Sequence, residues 1–241
     1  TQFPMVLAKL PEMISLNISN NSQWSAEEVY KSLNAIANGP AKEKLQILYV
    51  RDNNLREVPE SFRNLKKIGL LDLAQNQIGT IHPFGKEVAP AQLYLDNNKL
   101  TSLPADGNGL FCTMDDVETF SATYNKFTKF PNIFSAKSKF TIKSVDFSYN
   151  EIDGFEGEED GTFKGLNIEQ LSLAANKFTK FPKCLGTTGS LVAYIILRGN
   201  MIDEIPEGSF SGKYSTSMTS LDLTYNKLSK LPKDFTAEQL P

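Results

Sequence analysis

The chain has 241 residues, with 25 basic and 28 acidic side chains and a formal net charge of −3. Apolar residues make up 40% of it, enough for a sizeable core, whereas the charge balance lacks the basic stripe that nucleic-acid binding favours. No apolar run approaches the length of a membrane span, and two cysteines are too few for a disulfide-stapled scaffold. We therefore expect a fold held by packing alone, with no nucleic-acid partner and no membrane insertion within this segment.

One apolar frame returns nine times along the chain and ends each time in an asparagine. The frame is clearest at Leu45, Leu48, Val50, Asn53 and Leu55. The asparagines that mark the nine copies are Asn21, Asn53, Asn76, Asn98, Asn125, Asn150, Asn176, Asn200 and Asn226. Seven of the eight steps between them lie in the window of roughly 20–29 residues that is typical of leucine-rich repeats.

The frame predicts a short strand followed by a turn in every copy. Alternating apolar residues indicate a strand with one buried face, because side chains along a strand point to opposite sides in turn. The asparagine amide can both donate and accept hydrogen bonds, so it can satisfy backbone groups that the turn would bury. We expect the stacked copies to form a ladder of asparagines.

The first step, between Asn21 and Asn53, is long enough for a helix. Ser25 and Glu28 have the spacing of a capping box at its start, and the segment 38–40, Asn-Gly-Pro, predicts its end. The apolar residues of one helix face are Val29, Leu33 and Ile36. Trp24 is expected to pack where Gln23 replaces the usual apolar residue.

The later copies carry an apolar anchor five residues after each asparagine. Proline follows that anchor in six copies, at Pro59, Pro104, Pro131, Pro182, Pro206 and Pro232. Proline fixes φ and donates no hydrogen bond, which suits an irregular turn onto the outer face. These segments are short, so we expect single turns or 3₁₀ pieces there.

The frame L-x-x-L-x-L-x-x-N-x-L-x-x-L-P resembles that of the leucine-rich-repeat superfamily, in particular bacterial secreted or cell-surface members. The resemblance implies an α/β fold: a right-handed solenoid (horseshoe) with a parallel β-sheet on the concave face and short helical or 3₁₀ segments outside. It implies a single domain of about nine repeats over residues 1–241 and an extracellular or cell-surface location, with the cytoplasm as the alternative. Phe3 and Pro4 match the tail of an earlier repeat, so we expect an excerpt of a longer chain.

Groups that could carry out chemistry do not converge in the sequence. The single histidine, His82, takes the place of a turn proline, and too few Cys and His residues are present for zinc. No glycine-rich phosphate loop is present. We expect that the chain is not an enzyme and has no catalytic residue, cofactor or metal. The acidic loop 153–161 has two alternative interpretations, a solvated loop or a calcium site. Cys112 and Cys184, three repeats apart, should not be bonded to each other.

Side chains between the buried strand residues should line the concave face in rows along the stack. The first row is Asn17, Tyr49, Asp72, Tyr94, Ser121, Asp146, Ser172, Ile196 and Asp222. The second row is Ser19, Arg51, Ala74, Asp96, Thr123, Ser148, Ala174, Arg198 and Thr224. Two clusters stand out among small polar neighbours. The early cluster is Tyr49, Arg51, Asp72, Tyr94 and Asp96; the late cluster is Tyr194, Ile196 and Arg198.

The early cluster is our candidate partner-binding site, with the late cluster second. Tyrosine and arginine are enriched at interface hot spots because they bury a large area and still form hydrogen bonds. Tyrosine also suits strands in general, and an arginine can simply pair with a neighbouring aspartate, so ordinary cross-strand packing remains the alternative explanation. The sequence thus favours a non-enzymatic scaffold that binds a protein through its concave face; the alternative is a structural spacer or adhesive module of a cell-surface protein.

Overall fold

The computed structural model describes residues 3–85, 87–104, 117–133, 141–157, 163, 166–187, 191–210 and 217–233. The chain divides into two compact units, residues 1–125 and 126–241. Within the described ranges, no helix has the length and apolar composition that crossing a membrane requires.

Residues 1–125 contain a parallel sheet with one short strand from each repeat. Its strands, hydrogen-bonded in chain order, are β1 (Ser15–Asn17), β2 (Ile47–Tyr49), β3 (Leu70–Asp72), β4 (Gln92–Tyr94) and β5 (Thr119–Ser121). Leu48 of β2 lies opposite Leu16 of β1 and Leu71 of β3, so the apolar positions of successive repeats are in register. The predicted solenoid, with one parallel strand per repeat, is confirmed.

Residues 126–241 contain four more parallel strands in the same arrangement. They are β6 (Thr141–Asp146), β7 (Asn167–Ser172), β8 (Leu191–Ile196) and β9 (Ser220–Asp222), again paired in chain order. Leu171 lies opposite Val145 on one side and Ile195 on the other, as the frame predicts. The core beneath is rich in phenylalanine: the ring of Phe130 lies 4.9 Å from that of Phe147 and 5.2 Å from that of Phe163, centroid to centroid.

The predicted helix is α1 (Ala26–Asn38), and its start and end are confirmed. The Ser25 hydroxyl oxygen accepts a hydrogen bond from the backbone N–H of Glu28 at 3.2 Å. The Glu28 carboxylate does not return the bond in capping-box fashion; it accepts from the backbone N–H of Phe3 at 2.7 Å. The helix ends at Gly39, where an added Cβ would lie 2.3 Å from the carbonyl oxygen of Ala8. Only glycine allows this close approach.

The outer segments are short, as predicted. They include 3₁₀ helices at Met5–Lys9, Pro40–Glu43 and Glu60–Asn64 and the four-residue helix α2 (Cys184–Thr187). Cys184 is buried, whereas Cys112 lies outside the described residues, so their predicted separation stays a prediction.

The asparagine ladder is confirmed, and Asn76 illustrates it. Its amide nitrogen donates to the carbonyl oxygen of Val50 in the preceding repeat at 2.8 Å and to that of Leu73 at 3.0 Å. Its amide oxygen accepts from the backbone N–H groups of Asn53 and Leu55, both at 3.0 Å. One buried side chain thus satisfies backbone groups of two repeats. The same donor to the preceding repeat and the same acceptor recur at Asn98, Asn125, Asn176, Asn200 and Asn226.

The ladder is incomplete at the first repeat. The Asn53 amide nitrogen donates to the carbonyl oxygen of Ile18 at 2.9 Å, but its buried amide oxygen has no hydrogen-bond partner. By the pattern of the later repeats, the donor would be the backbone N–H of Gln23. Trp24 is buried next to that position, as predicted, and its ring packs edge-on against Phe3 at 5.4 Å. The longer first repeat therefore keeps its apolar packing and loses one ladder bond.

The residue just before each ladder asparagine has a left-handed backbone, a regularity that the sequence analysis missed. These residues, with φ between 52° and 72°, are Asn20, Asp52, Gln75, Asn97, Tyr124, Tyr149, Ala175, Gly199 and Tyr225. Glycine and asparagine accept this conformation readily, whereas other residues pay a steric cost for it. The turn geometry is therefore imposed by the ladder rather than by the local residue.

Candidate binding surface on the sheet

Three residues of the early cluster form one row across adjacent strands. Asp72 of β3 lies directly opposite Tyr49 of β2 and Tyr94 of β4. The residues just before them, such as Leu71, point into the core, so these three side chains emerge on the other face of the sheet. The two tyrosines are half-buried, whereas the shorter aspartate between them is only 8% exposed. The row is a shallow trough with a carboxylate at its floor.

Asp72 has little compensation for its charge. One carboxylate oxygen accepts a hydrogen bond from the backbone N–H of Ala74 at 2.9 Å, and no ion pair to Asp72 exists among the described residues. A buried carboxylate is normally paired or bonded several times, because removing it from water is costly.

The electrostatics at Tyr94 reflect the same negative surroundings. Burial raises the pKa of the Tyr94 hydroxyl above its ordinary value, and the neighbouring charges of Asp72 and Asp96 and the Tyr49 hydroxyl raise it further. The Tyr94 hydroxyl lies 3.4 Å from the Gln92 amide oxygen, a long hydrogen bond. A positive group at this surface would therefore be attracted.

Asp96, also in the predicted site, is engaged within the fold. The same carboxylate oxygen accepts hydrogen bonds from the backbone N–H of Thr123 at 2.8 Å, from its hydroxyl at 2.6 Å, and from the hydroxyl of Ser121. These bonds tie the β4 repeat to the β5 repeat. Asp96 contributes negative charge to the surface, but its hydrogen bonds are already used for cross-repeat packing.

Arg51 is exposed and does not pair with either aspartate. Its backbone N–H donates to the hydroxyl of Ser19 at 3.2 Å, and no ion pair to its guanidinium exists in the described part of the chain. Half-buried Ile47 and Leu70 lie opposite each other on β2 and β3 and add apolar surface beside the row. The structure thus brings all five predicted residues to neighbouring positions on β2–β4 and the turns after them.

In the late cluster, the cationic side chain of Arg198 contacts an aromatic ring of the same chain. That ring belongs to Tyr225, which the sequence analysis did not include in the cluster. The guanidinium carbon of Arg198 lies 4.8 Å from the ring centroid of Tyr225, which is 76% exposed. The pKa of the nearby Asp222 carboxyl is lowered mainly by the Thr224 hydroxyl, then by the Thr224 backbone N–H, with a smaller contribution from the charge of Arg198. Tyr225 lies just before Asn226, at a position that also holds tyrosine in two sibling repeats, so the sequence carried no distinct signal for its contact with Arg198.

The other candidate positions show no converging chemistry. Within the described ranges, no group of three metal-ligating side chains comes together. In the acidic loop, Asp153 pairs with Lys129 at 2.7 Å and Glu156 accepts from the backbone N–H of Asn132 at 3.3 Å. Residues 158–161 of that loop lie outside the described residues. His82 is exposed on the outer side of its repeat.

The chain matches both family models and individual known proteins. Two family models described as Leucine Rich Repeat match the chain, at residues 44–65 and 214–230. Human lumican is 28% identical over 221 residues, which cover 83% of this chain and 62% of lumican.

Two solved bacterial structures match the whole chain. A leucine-rich repeat protein from Bacteroides thetaiotaomicron VPI-5482 is 36% identical with a TM-score of 0.88, and the match covers 100% of this chain and 30% of that one. Its counterpart from Bacteroides eggerthii DSM 20697 is 39% identical with a TM-score of 0.88, covering 100% of this chain and 41% of that one. The chain therefore spans less than two thirds of lumican and of each of these two bacterial proteins.

Proposed function

Because this chain belongs to the leucine-rich-repeat superfamily, we propose that it is a non-enzymatic scaffold that binds a partner protein through the exposed sheet face of residues 1–125. The observation that carries the proposal is the row Tyr49–Asp72–Tyr94, where two half-buried tyrosines flank a carboxylate that forms no ion pair among the described residues. Extended sheet faces are the surfaces that solenoids use for recognition.

The composition of the early cluster supports a protein partner. Tyrosine and arginine are the residue types that most often dominate interface energies, and here Tyr49, Tyr94 and Arg51 lie together beside half-buried Ile47 and Leu70. The surface combines apolar area with both signs of charge, as protein interfaces do. The net charge of −3 disfavours a nucleic-acid partner.

The proposed location is extracellular or at the cell surface. The resemblance to lumican supports this location, at 28% identity. Cytoplasmic use of the same repeat is the alternative.

A second candidate function is a structural spacer or adhesive module of a surface protein. The hydrogen bonds of Asp96 to Ser121 and Thr123 favour it, because they account for one residue of the early cluster by cross-repeat packing alone. A spacer should tolerate charge changes anywhere on the sheet face.

The test begins with affinity capture by the intact protein and purification of the identified partner. We expect Tyr49→Ala, Tyr94→Ala and Arg51→Glu each to weaken binding of that partner while circular dichroism stays unchanged. Tyr30→Ala on α1 and Arg56→Glu on the outer side of the same repeat serve as matched controls and should bind normally. Full affinity in all three site variants would remove the sheet face of residues 1–125 from consideration, leaving the late cluster and the outer face.

A further inference from the structure

The row Tyr49–Asp72–Tyr94 has the components of a cation site without the cation. Asp72 is only 8% exposed, accepts one hydrogen bond, from Ala74, and pairs with no basic group among the described residues. An aromatic side chain stands on each side of it, in register on the neighbouring strands. Aromatic faces attract cations through the ring quadrupole, and a carboxylate adds direct charge attraction.

The dimensions of the row suit one ammonium or guanidinium group. Neighbouring strands lie about 4.8 Å apart, so the Cα atoms of Tyr49 and Tyr94, two strands apart, are separated by roughly 9.6 Å. The two tyrosines, each one strand away, therefore leave room above Asp72 for a cation within the roughly 6 Å of a ring centroid that cation–π attraction requires. The rise in the pKa of Tyr94, which burial and the charges of Asp72 and Asp96 produce, agrees with a negative potential there.

The late cluster shows the same chemistry completed within the chain. There, Arg198 lies 4.8 Å from the Tyr225 ring and its charge acts on Asp222, which occupies the same row position on β9 as Asp72 does on β3. In the early cluster, Arg51 holds the corresponding position in the repeat before Asp72, and Gln75 takes the place of Tyr225. The nearest basic residue of the early cluster, Arg51, makes no ion pair in the described part of the chain.

We propose that Tyr49, Asp72 and Tyr94 form a cage for a lysine or arginine side chain presented by a partner protein. This inference rests on the proposed function and names the chemistry of the partner at that site. Arg51, beside the cage, supplies the opposite charge, so the partner segment should carry an acidic residue close to the basic one.

The cage can be tested without the partner, using n-butylammonium chloride as the probe. Titration into the labelled protein, followed by NMR, should give saturable shifts of the Tyr49 and Tyr94 ring signals and of the Ala74 amide. The expected Kd is on the order of millimolar, because a single cation–π contact with a carboxylate is a weak interaction on its own. Sodium chloride at equal ionic strength and n-pentanol control for charge screening and for the alkyl chain.

Two matched variants decide the outcome. Asp72→Asn keeps an oxygen that can accept from Ala74, so the fold should survive while the affinity for n-butylammonium falls at least tenfold. Asp222→Asn, at the equivalent row position near Arg198, should leave the affinity unchanged. The absence of saturable shifts at Tyr49 and Tyr94, or shifts that persist in Asp72→Asn, would overturn the cage. Tyr94→Leu gives a second readout: it should lose the shift at Tyr49, and retention would equally count against the cage.

The outcomes separate the cage from the proposed function. If partner binding falls in Tyr49→Ala and Arg51→Glu but n-butylammonium shows no dependence on Asp72, the cage is wrong and the binding face stands. If n-butylammonium binds in an Asp72-dependent manner and the partner keeps full affinity for the site variants, Tyr49, Asp72 and Tyr94 bind a cation, but the proposed binding face and the use of the cage by that partner are both wrong.

Discussion

The side-chain amide of Asn176 donates a hydrogen bond to the carbonyl oxygen of Phe147, 29 residues earlier in the chain, at 3.0 Å. The same amide donates to Leu173 at 3.1 Å in its own repeat, and its oxygen accepts from the backbone N–H of Ile152 at 2.9 Å. With a further bond to the carbonyl oxygen of Ala174 at 3.2 Å, one side chain joins two consecutive repeats through four backbone groups. We therefore expect the stability of the stack to depend on these hydrogen bonds wherever the frame recurs.

Asn176→Ala should lower the free energy of unfolding by about 1–3 kcal/mol, because it leaves buried backbone groups without partners. Urea denaturation followed by circular dichroism measures the change. Lys177→Ala is the matched control, since it removes only an exposed ion pair with Glu151 and should cost about 0–1 kcal/mol. An Asn176→Ala midpoint equal to that of the wild type would mean that the ladder does not stabilise the fold.

The turn before each ladder asparagine gives a second prediction. Ala175 and Gly199 occupy this position in adjacent repeats, with φ of 52° and 72°. Because glycine accepts a left-handed backbone without steric cost, Ala175→Gly should raise the stability and Gly199→Ala should lower it, each by about 1 kcal/mol. A Cβ at Gly199 meets nothing closer than 3.7 Å, so the effect isolates the backbone. Changes of the same sign in thermal unfolding would contradict this account of the turn.

Gly39 offers a sharper structural test at the end of α1. Gly39→Ala would place a Cβ 2.3 Å from the carbonyl oxygen of Ala8 and 2.9 Å from that of Ala35. Both neighbours are backbone atoms, so the contact can be relieved only by moving the helix end, at a cost of about 1–3 kcal/mol or more. Gly79→Ala is the control, with nothing within 4 Å of its added Cβ. Equal stability of the two variants by urea denaturation would show that α1 does not pack against Ala8 in this way.

Asp222 predicts a defined pH dependence of stability. Its pKa is lowered in the folded state, mainly by the hydrogen bonds of Thr224, so it stabilises the fold above its unfolded pKa of about 3.9, and this contribution is lost as the pH falls through the folded pKa. Asp222→Asn should therefore be less stable than the wild type at pH 7, and this deficit should shrink as the pH falls toward 2. Unfolding curves at the two pH values measure this, and an equal deficit at both would contradict the assignment.

Asp72→Asn should behave differently from Asp222→Asn. It removes a buried charge that forms no ion pair within the described ranges while keeping an acceptor for Ala74, so its stability at pH 7 should equal or exceed that of the wild type. Thermal unfolding at pH 7 makes the comparison. A loss of stability as large as that of Asp222→Asn would indicate that the Asp72 charge is compensated within the fold.

The sequence predicted the parts of the fold that depend on repetition. Period-two alternation around residues such as Leu48 and Leu71 predicted where the strands lie, because only one face of each strand could be buried. The recurring asparagine predicted the ladder. The helix α1 followed from the capping residue Ser25 and the stop at Gly39. The left-handed backbone of residues such as Tyr225 was not predicted, because a turn that the ladder imposes accepts several residue types and leaves no local signature.

The candidate site was predictable in position but not in its energetics. Rows along the stack placed Tyr49, Asp72 and Tyr94 together, because strand register follows from the repeat. The sequence could not show that the Asp96 carboxylate accepts hydrogen bonds from Ser121 and Thr123. Nor could it show that Arg51 forms no ion pair with Asp72, whose carboxylate accepts from Ala74. Both depend on side-chain conformations that the spacing of residues does not determine.

The binding claim is tested most directly by isothermal titration of the purified partner into the wild-type protein and the double variant Tyr49→Ala/Tyr94→Ala. Two hot-spot tyrosines at roughly 2 kcal/mol each amount to about 4 kcal/mol, so we predict a rise in Kd on the order of several hundredfold for a variant that keeps the wild-type circular dichroism spectrum. An unchanged Kd would contradict recognition through this sheet face.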